Sequence, residues 1–240
     1  MWRPATQPAR LPGRSELTPS LLSFDVYGTL VDVRGGSREA FGAILRETGA
    51  SRIDALEFWE HWEAANIRGY WQAYRPYREI CRASLDETFR HFGLHGDPSL
   101  IRLYFDAFPA FPRFPDVDEV LDRLARRFRL AVVSNIDDDL LAVTDLGRRF
   151  DLVCTAERAR GYKPDGTLFR CLLERGGVET MRLLHCGQSQ RTDMVGAKPL
   201  GITVAWINRR RLPLAADVPK PDHEFRDLRP LLELLPERPD

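Results

Sequence analysis

Five short apolar runs, each followed by a stretch with helical spacing, set the frame for this chain. They are Leu21 to Val26, Leu130 to Ser134, Leu152 to Ala156, Arg182 to Cys186 and Ile202 to Ile207. Apolar runs of this length, bounded by polar or glycine residues, fit strands buried on both faces. Their alternation with helices predicts a parallel sheet covered on both sides. The intervening helices are legible. Val117, Val120, Leu121, Leu124 and Phe128 recur at helical spacing, with Asp116 expected as N-cap and Glu119 three residues on. Leu168, Phe169, Leu172 and Leu173 do the same, and Gly176-Gly177 supplies a stop.

The gap between the first two strands is far too long for one crossover helix. Ala55, Phe58, Trp59 and Trp62 share one helix face there. Pro76 suits the first turn of another helix, with Tyr77, Ile80, Cys81, Leu85 and Phe89 on its apolar side. The expected fold is therefore α/β: a Rossmann-like parallel sheet with an inserted all-helical subdomain. Residues 1–19, rich in Pro, Arg and Ser, are expected to be a flexible extension. Residues 20–34 plus 111–240 are expected to form the core, and residues 35–110 the insertion. The aromatic residues of the insertion, Trp59, Trp62, Trp71, Tyr70, Tyr74 and Tyr77, are expected mainly to fill a helical core.

At 240 residues the chain is ample for a buried core. Thirty-five basic and 35 acidic residues give zero formal net charge, which argues against nucleic acid or an anionic membrane as partner. No apolar run approaches the roughly 20 residues of a membrane helix, and no apolar core follows the N-terminal arginines as in a secretory signal. Cys81, Cys154, Cys171 and Cys186 are widely spaced, expected as free thiols in a reducing cytoplasm. The five histidines form no metal-ligand spacing, and Arg209-Arg210-Arg211 reads as a solvated basic run.

In open parallel sheets ligands sit outside the carboxyl ends of the strands. The first run leads into Asp25, followed by Tyr27-Gly28-Thr29. The second ends at Ser134-Asn135. Lys163 follows the third, and Gln188-Ser189 with Asp193 follow the fourth. A carboxylate held at a dry strand end can act as a covalent nucleophile. Gly28 allows a sharp turn beside it, and Thr29 can donate a hydrogen bond to it. An anionic substrate about 4 Å from Asp25 is repelled by on the order of 4 kcal/mol at an effective dielectric near 20, so a counter-charge is needed. Lys163 is the expected one. Ser134 and Asn135 can donate to substrate oxygens.

This ordered set resembles the haloacid dehalogenase superfamily over residues 21 to 34 and 112 to 208. It shows Asp25-x-x-Gly28-Thr29-Leu30, then Ser134-Asn135, then Lys163-Pro164, then Gly187 to Asp193 leading into Gly196-Ala197. The helical insertion sits where that superfamily places its cap, and Trp206 to Arg209 looks like the end of its fifth strand. The resemblance implies a hydrolase with Asp25 as nucleophile, Thr29, Lys163 and Asp193 as further catalytic residues, and a small-molecule substrate.

Two positions bear on the branch. The superfamily's phosphatases carry a second aspartate two residues after the nucleophile; here Tyr27 stands there, a poor acid or base at pH 7. Gln188 replaces the first acid of the phosphatases' magnesium site, and a neutral amide weakens a hard-cation site. The Asp-x-Tyr-Gly-Thr form resembles the L-2-haloacid dehalogenases. That resemblance implies displacement at carbon beside a carboxylate, no cofactor, a homodimer, and substrate contacts from Tyr27, Ser134, Asn135, Gln188 and Ser189. Arg52 is nearest in position to that group's halide-binding arginine. Phe169, Gln190 and Thr192 depart from its pattern. A magnesium-dependent phosphatase acting on a small phosphorylated metabolite is the alternative.

Overall fold

The computed structural model describes residues 19–235. The expected flexible extension lies, but for Pro19, outside the described residues. Six strands form one sheet in the order β3-β2-β1-β4-β5-β6, every neighbouring pair parallel. They are β1 (Leu21–Phe24), β2 (Arg129–Ser134), β3 (Leu152–Thr155), β4 (Leu183–Gly187), β5 (Thr203–Ile207) and β6 (His223–Phe225). The first five match the apolar runs. The sixth is an edge strand of three residues with no apolar run to announce it.

Period-two alternation splits the strand residues between two cores. Leu22, Phe24, Leu130 and Val132 face one, while Leu21, Ala131 and Val133 face the other with Phe169, Leu172 and Trp206. The chain runs from β1 outward to β3 on one side, then returns to β4 on the other. That reversal places a crevice at the carboxyl ends of β1 and β4, the usual ligand position in such sheets.

Between β1 and β2 the chain is helical: α1 (Val33–Glu47), α2 (Ala55–Gly69), α3 (Tyr77–His91) and the short α4 (Arg102–Phe105). Asp32 caps α1 by accepting from Gly35 N at 2.9 Å, and Asp54 caps α2 by accepting from Leu56 N and Glu57 N, each at 2.9 Å. The apolar faces pack as read from the sequence. Phe58, Trp59 and Trp62 of α2 are buried, as are Tyr77, Ile80, Cys81, Leu85 and Phe89 of α3; Trp71, between the two helices, is exposed. The insertion shares one continuous apolar cluster with the sheet through Phe41, Tyr104, Phe108 and Phe111.

The two crossings between insertion and sheet lie side by side. Asp32 N donates to Pro112 O and Phe114 N to Leu30 O. A second tie comes from the loop after β2, where Asp137 accepts from Tyr77 N at 2.8 Å and Arg78 N at 3.1 Å. A core carboxylate thus caps the N-terminus of α3, where the helix dipole favours negative charge. Tyr162, from the loop before Lys163, donates to Arg75 O at 2.7 Å and stacks on Tyr70.

The core helices are α5 (Val117–Ala125), α6 (Asp138–Val143), α7 (Ala156–Ala159) and α8 (Thr167–Gly176). Asp116 stands at the N-cap position of α5, but its carboxylate makes no cap bond there. It pairs instead with Arg209 at 2.9 Å through both oxygens and accepts from Leu228 N.

Candidate active site

The turn after β1 aims Asp25 into the crevice. Leu30 and Val31 donate back to Val26 O, and Gly28 adopts φ +90°, a conformation that disfavours any residue with a Cβ. Thr29 is thereby brought under Asp25 and donates to Asp25 Oδ2 at 2.8 Å. The same hydroxyl accepts from Gln188 N at 2.9 Å, tying the ends of β1 and β4 together. Lys163 Nζ donates to Asp25 Oδ1 at 2.5 Å and lies 2.7 Å from Asp193 Oδ1. All three charged side chains are buried, at 6%, 2% and 0% exposure for Asp25, Lys163 and Asp193.

Two carboxylates therefore share one ammonium. Burial raises Asp25 above the ordinary carboxylate range; Lys163 offsets part of this and Asp193 adds to it. Burial also works on Asp193, but Lys163 and His185 outweigh it and hold that group well below the usual range. Lys163 is raised despite its burial, because both carboxylates favour its charge.

Backbone contacts fix Lys163. Its N–H donates to Asn135 Oδ1 at 2.9 Å, and its carbonyl lies so close to Gly196 that a Cβ there would fall 1.9 Å from the oxygen. Gly196 is thus required by close approach. Because the Asn135 carbonyl is occupied, its amide nitrogen is left over. Asn135 Nδ2, Ser134 Oγ and Trp59 Nε1 are buried with no hydrogen-bond partner among the described residues, and all three residues line the crevice. Buried donors without partners are uncommon in folded proteins, and three of them gather around this crevice.

The crevice has an empty volume of about 590 Å³, counting the part open to solvent. Asp25, Tyr27, Ser134, Asn135, Lys163, Gln188 and Ser189 line it, so these expected site residues are brought together. Tyr27 does so with its ring. Its hydroxyl donates to Thr144 Oγ1 at 2.8 Å, Thr144 in turn donating to Leu140 O, and burial pushes the phenol well above its ordinary value. Ser189 accepts from Thr192 N, and Gln190 is bound to the backbone at Pro213 and Ala215.

Three expectations are corrected. Arg52 lies exposed in the turn between α1 and α2 and does not line the crevice, because its position before α2 puts it outside the inward face. Asp193 does not line the crevice either. It stands behind Lys163, where its Oδ1 meets His185 Nε2 at 3.2 Å and its Oδ2 accepts from Ser189 N at 2.9 Å. Arg209 is not a solvated residue. Its Nε and Nη2 donate to Thr29 O at 2.9 and 2.8 Å, its other face pairs with Asp116, and it stacks over Phe114 at 4.0 Å.

Sequence reasoning passed over His185 and Glu63. His185 lies beneath the site, its Nδ1 2.9 Å from Ser23 Oγ and its ring edge-on to Phe169. Glu63 lines the crevice from α2. Its signal was present: an acid four residues after Trp59 and three before Asn66, close to the buried face of α2.

The donor set does not fit a divalent cation. Both oxygens of Asp25 and both of Asp193 are engaged by Thr29, Lys163, His185 and Ser189, and Gln188 offers only a neutral amide. Among the described residues no group of three or more His, Cys, Asp or Glu could hold a metal ion.

A parallel sheet carrying a buried carboxylate at the end of its central strand, with a lysine against it, defines a hydrolase of the carboxylate-nucleophile class. The chain belongs to the haloacid dehalogenase-like hydrolase family, whose profile matches residues 22–207. It is 29% identical over 221 residues to (S)-2-haloacid dehalogenase of Pseudomonas sp. (strain YL), covering 89% of this chain and 93% of that one. It is 27% identical over 211 residues to (S)-2-haloacid dehalogenase H-109 of Pseudomonas putida, covering 85% and 92%. Among solved structures, L-2-haloacid dehalogenase from Xanthobacter autotrophicus with chloropropionic acid covalently bound has a TM-score of 0.78 at 23% identity, covering 91% of this chain and 98% of that one. A magnesium-bound HAD-hydrolase from Bacillus subtilis has 0.77 at 19% identity, covering 91% and 99%. These structural likenesses speak for the fold.

Proposed function

We propose that this protein is a metal-independent 2-haloacid dehalogenase with Asp25 as nucleophile. One observation carries the reading. Asp25 is held between Thr29 and Lys163 at the crevice floor, while the residue two positions on, Tyr27, has its hydroxyl turned to Thr144 and cannot serve as the acid that phosphoryl transfer requires. The names of the relatives in Pseudomonas agree with it.

In this reading a carboxylate oxygen of Asp25 attacks the carbon beside the substrate carboxylate. The carbon–halogen bond breaks and halide leaves with the electron pair. Lys163 and the unpartnered donors of Ser134 and Asn135 receive the substrate carboxylate and the departing halide. Water in the crevice then attacks the carbonyl carbon of the Asp25 ester and passes its proton to a neighbouring water, while Asp193, buried behind Lys163, holds that ammonium against the reacting carboxylate. The bond between that carbon and the substrate oxygen breaks, the 2-hydroxy acid takes up a proton, and Asp25 retains the oxygen from water. Neither step uses a metal.

The helical insertion acts as a cap, supported by its side-by-side crossings and by its wall over the crevice. A homodimer is inferred with exposed Trp71 as a contact, and gel filtration showing only monomer removes it. A cytoplasmic location accords with the free thiols. The test of activity is a panel of chlorinated and fluorinated 2-haloacids beside small phosphate esters, each with magnesium and with chelator. Halide release in chelator is expected; magnesium-dependent phosphate release alone contradicts the reading.

A further inference from the structure

The wall that α2 contributes to the crevice is not a plain apolar surface. Trp59 and Glu63 are four residues apart on α2, so their side chains are neighbours on the helix surface, and both line the crevice. Trp59 is 2% exposed, and its indole N–H has no hydrogen-bond partner among the described residues. Among the described residues the Glu63 carboxylate makes no hydrogen bond or ion pair; the nearby Arg34 and Arg210 bond to Glu60 instead.

We propose that Trp59 and Glu63 form a recognition site for a hydroxyl group on the substrate, beyond the reacting carbon. This rests on the dehalogenase reading and deepens it, naming the substrate class as 2-haloacids with a hydroxyl on carbon 3 or 4. The indole can only donate and the carboxylate can accept. A hydroxyl both accepts and donates, so it satisfies the two together. An ammonium has no lone pair for the indole, and an alkyl tail leaves both groups unpaired. Two neighbouring polar side chains on this wall are already engaged: Asn66 by Tyr70 and Cys81, and Trp62 by Cys81 O. Burial raises Glu63 to about 7, with Arg210 and Arg34 working against that and Glu60 with it, as fits a carboxylate that lacks a partner. Sites built to hydrogen-bond a hydroxyl discriminate strongly against analogues lacking it, because their polar groups are left buried and unpaired.

The test compares halide release from 2-chloro-3-hydroxypropionate and from 2-chlorobutyrate, which has nearly the same shape with a methyl in place of the hydroxyl. For the unaltered protein kcat/KM is expected to favour the hydroxy acid by about tenfold or more. In Glu63→Leu and in Trp59→Phe that ratio is expected to fall to within about threefold of unity. The ratio is taken within each variant, so a general loss of activity or folded fraction cancels. Glu63→Gln, which keeps an acceptor, is expected to retain part of the preference. Halide release from both acids without preference, or a preference unchanged in both variants, overturns this proposal alone. No halide from any 2-haloacid removes the dehalogenase reading and this proposal with it.

Discussion

Lys163 Nζ lies 2.5 Å from Asp25 Oδ1 and 2.7 Å from Asp193 Oδ1, so two buried carboxylates share a single buried ammonium. Lys163→Met removes the one ammonium that the two acids share, leaving Asp25 with Thr29 and Asp193 with His185 and Ser189 N. Removing one partner of a buried ion pair costs about 3–5 kcal/mol, and loss of a charge-stabilising donor costs roughly 10²–10³ in turnover. Halide-release kinetics are expected to show that loss, and denaturant unfolding the destabilisation.

The raised pKa of Asp25 has a kinetic signature. The nucleophile must be ionised, so kcat/KM falls as pH drops through the folded-state pKa. Because burial raises that pKa above the ordinary value of 3.8, the acid limb is expected at a higher pH than an exposed aspartate gives. Thr29→Ala removes a hydrogen bond to the charged form and moves the limb higher still, whereas Thr29→Ser leaves it in place. A pH–rate profile measures both. An unshifted limb in Thr29→Ala contradicts this account of the pair.

Arg209 supports the same turn from below. It holds the Thr29 carbonyl with two donors and Asp116 with two more, the pair being 11% and 3% exposed. Arg209→Met strands a buried carboxylate and frees the turn that aims Thr29. About 3–5 kcal/mol of stability is expected to be lost, with a lower kcat. Asp116→Asn on that background is expected to recover part of the stability, since the uncompensated charge is gone. Equal losses in the single and double variants count against the coupling.

The strand-end residues were legible because each strand is a short apolar run followed by polar residues, and a parallel sheet brings such ends to one edge. Asp25, Ser134, Asn135, Lys163 and Gln188 could be placed on that basis alone. Arg209 could not, because a run of three arginines resembles a solvated loop until Thr29 O, 180 residues away, is folded against it. Glu63 was hidden for the opposite reason: acids on amphipathic helices ordinarily face water, and only the wall above Asp25 makes this one a lining residue. The sixth strand, His223–Phe225, is too short and too polar to stand out from a loop. Arg52 failed because closeness to α2 in sequence does not fix which way a turn residue points.

The covalent role of Asp25 is tested most directly by a single turnover on a 2-haloacid in oxygen-18 water, followed by mass spectrometry of the protein and the product. The account predicts that the label enters the Asp25 carboxylate, because water attacks the ester's carbonyl carbon, and that the first 2-hydroxy acid released carries unlabelled oxygen. Label in that first product, with none in Asp25, means that water attacks the substrate directly and contradicts it.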